Sequence, residues 1–250
     1  MGRVVEPVSL LHSSAVPAQK LGGRKAEILE PALRRRAKAG ARRFLVVPLF
    51  LGPSRALTGY IPECVKRLRR NFPALSVRVA RPLSVSHDDR LAAMTAAAVE
   101  TKLTPAFLKG RRARVAVVDH GSPAAAVTRV RNRISAQVRR QLGSRVESVA
   151  ACSMERRPGE AYDFNEPLLE TLLARRGWNT GPVVVAQLFL LPGRHAGPRG
   201  DIAAICGRAR KKNPGLSIAR TRPMGEHPGL VDILADRCSE AECAMPGEAR

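Results

Sequence analysis

Short aliphatic runs alternate with longer basic, amphipathic stretches along most of this chain. The runs at 44–51, 76–80, 114–119, 146–151, 182–190 and 216–220 are near-continuous in Val, Leu, Ile and Ala, which is how strands covered on both faces read. The stretches between them, at 25–39, 58–71, 88–103, 124–141, 164–176, 200–212 and 228–241, predict helices from their apolar spacing. Strand and helix in turn give an α/β class with doubly wound parallel sheets. Local signals agree. Ser122-Pro123 reads as an N-cap with proline at the first helical position. Asp163 and Asn165-Glu166-Pro167 open the next helix, and Gly177 closes it.

The pattern repeats. Residues 46–56, VVPLFLGPSRA, lie over residues 185–195, VAQLFLLPGRH, so that Ala56 falls on His195. Asn71-Phe72-Pro73-Ala74-Leu75-Ser76-Val77 likewise resembles Asn213-Pro214-Gly215-Leu216-Ser217-Ile218, and Arg81-Pro82 matches Arg222-Pro223. An offset of about 140 residues is too long for a solenoid and predicts two homologous domains. The counterpart of the strand at 114–119 would fall before residue 1, so the first repeat is expected to be N-terminally truncated. The expected divisions are a disordered segment at 1–23, a first repeat at 24–110 and a second at 111–250.

Composition narrows the function classes. The 43 Lys and Arg outnumber the 21 Asp and Glu, a formal net charge of +22, which attracts anions such as nucleic acid, acidic lipid or a polycarboxylate. No stacking aromatics or nucleic-acid motif accompany the charge, so nucleic acid is not an expected partner and most of the charge reads as solvated helix face. Five cysteines without a CxxC spacing indicate neither a disulfide framework nor a zinc site. The longest apolar runs fall short of the roughly 20 residues of a membrane helix, and the start lacks a signal-peptide core. A cytoplasmic setting is expected.

Candidate chemistry gathers at strand ends, where open α/β sheets bind ligands. His120 follows the strand VAVVD, Glu155 comes soon after VESVAAC, and His195 lies a few residues past VVVAQLFLL. Imidazole suits Fe, Co, Ni and Zn; a carboxylate beside two imidazoles serves as a further ligand or as a proton acceptor. GxGxxG, GxxxxGK[ST] and GxSxG are all absent, against a dinucleotide fold, a P-loop NTPase and an α/β-hydrolase. Ser122 reads as a cap. His12 lies in the N-terminal segment. His87 and His227 each follow an Arg-Pro pair and read as structural.

His120-Gly121-Ser122, Met154-Glu155, Pro192-Gly193-Arg194-His195 and Asp201-Ile202 together resemble the class II tetrapyrrole chelatases, and most of all the sirohydrochlorin chelatases, which insert iron for sirohaem or cobalt for cobalamin. The resemblance spans most of residues 44–235. It implies two flavodoxin-like, chelatase-like parallel-sheet domains facing a cleft, in a monomer or homodimer, with no tightly bound cofactor. It implies that His120 and His195 bind a divalent metal, Co2+ or Fe2+, which is a substrate, and that Glu155 assists as ligand or as acceptor of pyrrole protons. Sirohydrochlorin is an anionic tetrapyrrole, for whose carboxylates Arg156, Arg157, Arg194 and Arg199 are candidates. A non-catalytic chelatase-like protein that binds metal or tetrapyrrole is the alternative.

Overall fold

A computed structural model describes residues 5–10, 16–23 and 25–243; His12 and part of the segment expected to be disordered lie outside the described residues. The chain divides into two compact units, residues 1–48, 55–81 and 238–250, and residues 49–54 and 82–237.

The first unit holds helix α1 (Leu29–Lys38), strand β1 (Arg43–Val46), helix α2 (Ile61–Asn71) and strand β2 (Ser76–Val79). β1 and β2 pair in parallel, Arg43 opposite Ser76. Leu33, Ile61, Leu68 and Leu75 form its core with Cys64. Ser9 makes an isolated parallel bridge with Ile28, and Ala18–Leu21 forms a 3-10 turn.

The second unit holds helix α3 (Arg90–Glu100), the single turn α4 (Pro105–Leu108), strand β3 (Arg114–Asp119), helix α5 (Ala125–Leu142), strand β4 (Ser148–Ser153), helix α6 (Leu169–Ala174), strand β5 (Gly181–Gln187), helix α7 (Asp201–Lys212), strand β6 (Leu216–Arg220) and most of helix α8 (Gly229–Cys243). Its four strands are all parallel, in the order β4-β3-β5-β6. The α/β class with parallel sheets is therefore as the periodicity predicts.

Alternation within the central strands explains the layers. Val115, Val117, Val184 and Ala186 point to one side and join residues of α3, α5 and α8. Ala116, Val118, Val183 and Val185 point to the other and join α6 and α7. Every residue of β5 is buried, and burying each valine contributes about 1.5–3 kcal/mol. Among the described residues no helix is long and apolar enough to cross a membrane.

The internal repeat is visible in hydrogen bonds. The N–H of Ala80 reaches the carbonyl of Val46 as that of Thr221 reaches Val185, at 2.9 and 3.0 Å. Leu83 reaches Phe50 as Met224 reaches Phe189, at 2.9 and 2.7 Å.

Several elements differ from their predicted bounds. β1 stops at Val46, before Pro48, which has no N–H for the ladder. The run at 182–190 is strand only to Gln187. α5 begins at Ala125 instead of after Ser122-Pro123: the Ser122 Oγ accepts the Ala124 N–H at 3.1 Å in a local turn. α6 covers only Leu169–Ala174, because Glu160–Asn165 forms a separate 3-10 turn ahead of it.

Candidate metal centre

The sheet places the candidate residues. β3 runs to β4 on one side while β5 and β6 lie on the other, so the strand order reverses between β3 and β5, the switch point at which open α/β sheets bind ligands. His120 directly follows β3. The β3–β4 register pairs Asp119 with Ser153, and two further bonds extend it, from Met154 N–H to Asp119 O (2.8 Å) and from Glu155 N–H to His120 O (3.1 Å). Glu155 is thereby held alongside His120. Gly121 has φ +94°, and a Cβ there would overlap the Glu155 carbonyl oxygen. Glycine is required for both reasons.

His195 arrives by a longer route. After β5, Phe189 packs its ring edge-on to His120 with centroids 6.5 Å apart. The segment 193–200 then closes on itself, with Gly197 N–H on Gly193 O (3.1 Å) and Gly200 N–H on Gly197 O (3.0 Å). Arg220 of β6 donates to the carbonyls of Gly197 and Pro198. The His195 carbonyl accepts the Ile202 N–H at 3.1 Å, which ties the residue to the first turn of α7.

The outcome is two imidazoles in contact, ring centroids 4.7 Å apart and nearly perpendicular. His120 Nε2 lies 3.5 Å from Glu155 Oε1. The structure thus brings together the three residues singled out from the sequence. Their side chains are open to solvent, His120 at 48%, Glu155 at 60% and His195 at 32%.

Hydrogen bonds fix what each ring presents. His120 Nδ1 lies 3.1 Å from the Gly121 carbonyl oxygen. A carbonyl only accepts, so Nδ1 carries the proton and Nε2 keeps its lone pair. His195 Nδ1 lies 2.5 Å from Asp201 Oδ2, which places its proton on Nδ1 in the same way. Both rings are set to coordinate through Nε2, in the carboxylate- and carbonyl-oriented manner common to metal-binding histidines. Among the described residues no three His, Cys, Asp or Glu side chains form a ready-made metal cage; the site is a pair of imidazoles with Glu155 beside one of them.

Asp201 is the residue that sequence reasoning passed over as a participant. It opens α7, six residues after His195, and its presence beside Ile202 was the only signal. A buried network behind His120 was also missed. Ser153 Oγ donates to Asp119 Oδ1 (2.6 Å) and accepts from Arg131 (2.5 Å), which also donates to Asn165 O (2.9 Å). Asn165 in turn holds the loop after His120 through the Ser122 N–H and carbonyl. Burial pushes the Asp119 carboxyl up, against the lowering pull of Ser153, Arg131 and the Gly121 N–H. Burial also raises the Cys152 and Cys206 thiols beneath these strands, Cys206 to about 11, so neither offers a thiolate at neutral pH.

The four candidate arginines separate. Arg156 is held by Glu166 (2.8 Å) and Asp163 (3.1 Å), carboxylates of its own chain that compete with any from a substrate. Arg157 lies over the Tyr162 ring, 6.0 Å from its centroid. Arg194 is 86% exposed and 3.9 Å from Asp201. Arg199 is exposed.

The sequence pattern of the CbiX family matches residues 24–101 and 114–241. Sirohydrochlorin ferrochelatase, chloroplastic, of Arabidopsis thaliana is 37% identical over 67 residues. That match takes in 27% of this chain and 29% of the plant protein, so the chain spans less than a third of that relative's length in it. Among solved structures, SirB from Bacillus subtilis with Fe3+ superposes with a TM-score of 0.63 at 17% identity, covering 88% of this chain and 81% of that one. The sirohydrochlorin chelatase SirB from Bacillus subtilis subspecies spizizenii, in complex with cobalt, gives 0.62 at 20% identity over 87% and 77%. These two likenesses establish the shared fold. With its pattern matched across both repeats, the chain belongs to the CbiX family.

Proposed function

We propose that this protein inserts a divalent metal, Co2+ or Fe2+, into sirohydrochlorin, with His120 and His195 presenting the metal and Glu155 taking up a proton. The observation that carries the reading is the pair of touching imidazoles, each with Nδ1 occupied and Nε2 left as a ligand. Insertion exchanges the two pyrrole N–H protons of the macrocycle for one metal ion. Two neutral imidazoles hold the ion without cancelling its charge, so it stays electrophilic toward pyrrole nitrogen. Glu155, beside His120 and open to solvent, accepts the two protons in turn and passes each to water. Arg157, Arg194 and Arg199 are the candidates for macrocycle carboxylates, with Arg156 engaged by its own acidic neighbours. The proposed setting is the cytoplasm.

A second reading is a metal or tetrapyrrole carrier without turnover. It is favoured by the lack, among the described residues, of a complete three-ligand cage. One assay separates the two: the purified chain is mixed with sirohydrochlorin and Co2+ or Fe2+, and the absorbance change of metallation is followed. Catalysed insertion is expected, reduced by more than about 100-fold in His120→Ala and in His195→Ala. Stoichiometric binding without acceleration establishes the carrier, and unchanged rates in both variants remove these histidines from the reaction.

A further inference from the structure

Apart from the metal centre, the second unit holds a crevice of about 300 Å³ at the carboxyl ends of β5 and β6, walled by α3 and by residues 221–228. His120, Glu155, His195 and Asp201 take no part in its lining. One part of the wall is apolar, made of Met94, Ala98, Pro223 and Met224. The other part is polar and includes Lys102, Gln187, Arg222 and His227 together with the Glu226 carboxylate.

Gln187 is 4% exposed, and its amide is oriented by a bond from Nε2 to the Thr221 carbonyl oxygen at 2.5 Å, an oxygen that only accepts. Its Oε1 is therefore an acceptor, buried and without a hydrogen-bond partner among the described residues. Native structures rarely leave such an atom unmatched. His227 Nδ1 accepts the Gly229 N–H at 3.1 Å, so the neutral ring carries its proton on Nε2 and is a donor there. Lys102 also lines the wall and has no ion pair among the described residues. Arg222, with an 87% exposed side chain, lies 3.6 Å from Glu226.

We infer that this crevice binds a small organic carboxylate that has an apolar body and a hydrogen-bond donor. The carboxylate meets Lys102 and the His227 donor, the apolar body lies against the two methionines, and the donor satisfies Gln187 Oε1. That oxygen is closed off from solvent, so reaching it takes a small shift of the wall, for which unbranched, flexible methionine side chains are suited. The apolar walls disfavour inorganic phosphate, which offers charge alone. The inference stands independently of metal insertion.

Indole-3-acetate has all three features and serves as the probe. Saturation-transfer NMR on the full chain is expected to show saturable binding, with a Kd of about 1 mM or tighter, and no displacement by inorganic phosphate. Lys102→Glu, a surface change, is expected to weaken binding about tenfold or more. Ala98→Trp, which fills the slot, is expected to abolish it. Failure of indole-3-acetate to bind overturns the inference, and so does binding of benzoate or octanoate, which lack the donor, as tightly as indole-3-acetate. So does displacement by phosphate, or binding unaffected by Lys102→Glu.

Discussion

The hydrogen bond between His195 and Asp201 decides which nitrogen of that ring is left with a free lone pair, the one proposed to take a metal. In water a neutral imidazole prefers its proton on Nε2, the wrong nitrogen for coordination here; the carboxylate reverses the preference. Asp201→Ala is therefore expected to move His195 toward the Nε2–H form and to lower metal affinity about 10–100-fold. Asp201→Asn, whose Oδ1 still accepts, is expected to keep the native tautomer and most of the affinity. Nitrogen-15 spectra of the ring report the tautomer directly, with no need of turnover; identical His195 signals in the wild type and the alanine variant refute this role. A comparable demand falls on Gly121. An alanine there meets both an unfavourable φ and the Glu155 carbonyl, so Gly121→Ala is expected to displace Glu155 from His120 and to cost about 1–3 kcal/mol of stability, read from urea unfolding beside metal titration.

At the scale of elements, the site is made by strand ends and by the loop that follows β5. That loop is tightly bounded. A Cβ on Gly200 would lie 2.5 Å from the carbonyl oxygens of both Arg194 and His195, backbone atoms that cannot swing aside, so Gly200→Ala is expected to shift His195, to weaken metal binding and to lower the melting temperature. Isothermal titration with Co2+ alongside a thermal melt tests this. Much of this level was legible in the sequence. β3 and β5 are buried on both faces and so show as unbroken aliphatic runs, and His120 could be placed at a strand end for that reason. Other features were not legible because hydrophobicity does not report hydrogen bonding. Leu188-Phe189-Leu190 continues the apolar run of β5, yet the chain leaves the ladder at Gln187, whose N–H goes to the Thr221 hydroxyl. α6 was overestimated because Asn165 and Glu166 spend their side chains on neighbouring loops instead of extending the helix. The pairing of Asp201 with His195 depends on how residues 193–200 fold back, which no spacing rule supplies. That Arg156 is occupied was hidden because its partners, Asp163 and Glu166, lie several residues away across a turn.

For the molecule as a whole, charge sets the response to solution conditions. Asp88 accepts from the side chain and backbone N–H of Arg90 and from the buried Arg237, and the Arg90 guanidinium foremost holds its carboxyl well below the usual carboxylate range. Its folded-state pKa is thus below the unfolded value of about 3.9. The stability it contributes is fully present above about pH 4 and is lost as the pH falls through that window toward the folded-state pKa. Asp88→Asn is expected to be less stable at pH 6 and to lose less between pH 6 and pH 3, as read from urea midpoints. Among the described residues the two units carry unequal sheets, of two and four strands, and the residues proposed to handle metal all come from the four-stranded one.

The openness of the two imidazoles has a consequence for metal choice. If these exposed side chains hold the metal as proposed, their nitrogens bind Co2+ more tightly than Fe2+ at equal concentration, and which ion arrives is set by availability as much as by affinity. On the proposed function, loading would follow supply weighted by that affinity order. If the proposed insertion holds, competition between Fe2+ and Co2+ at varied ratios is expected to give products that shift with the mixture offered, Co2+ being favoured at equal concentrations, so that cellular metal economy would share in deciding the product.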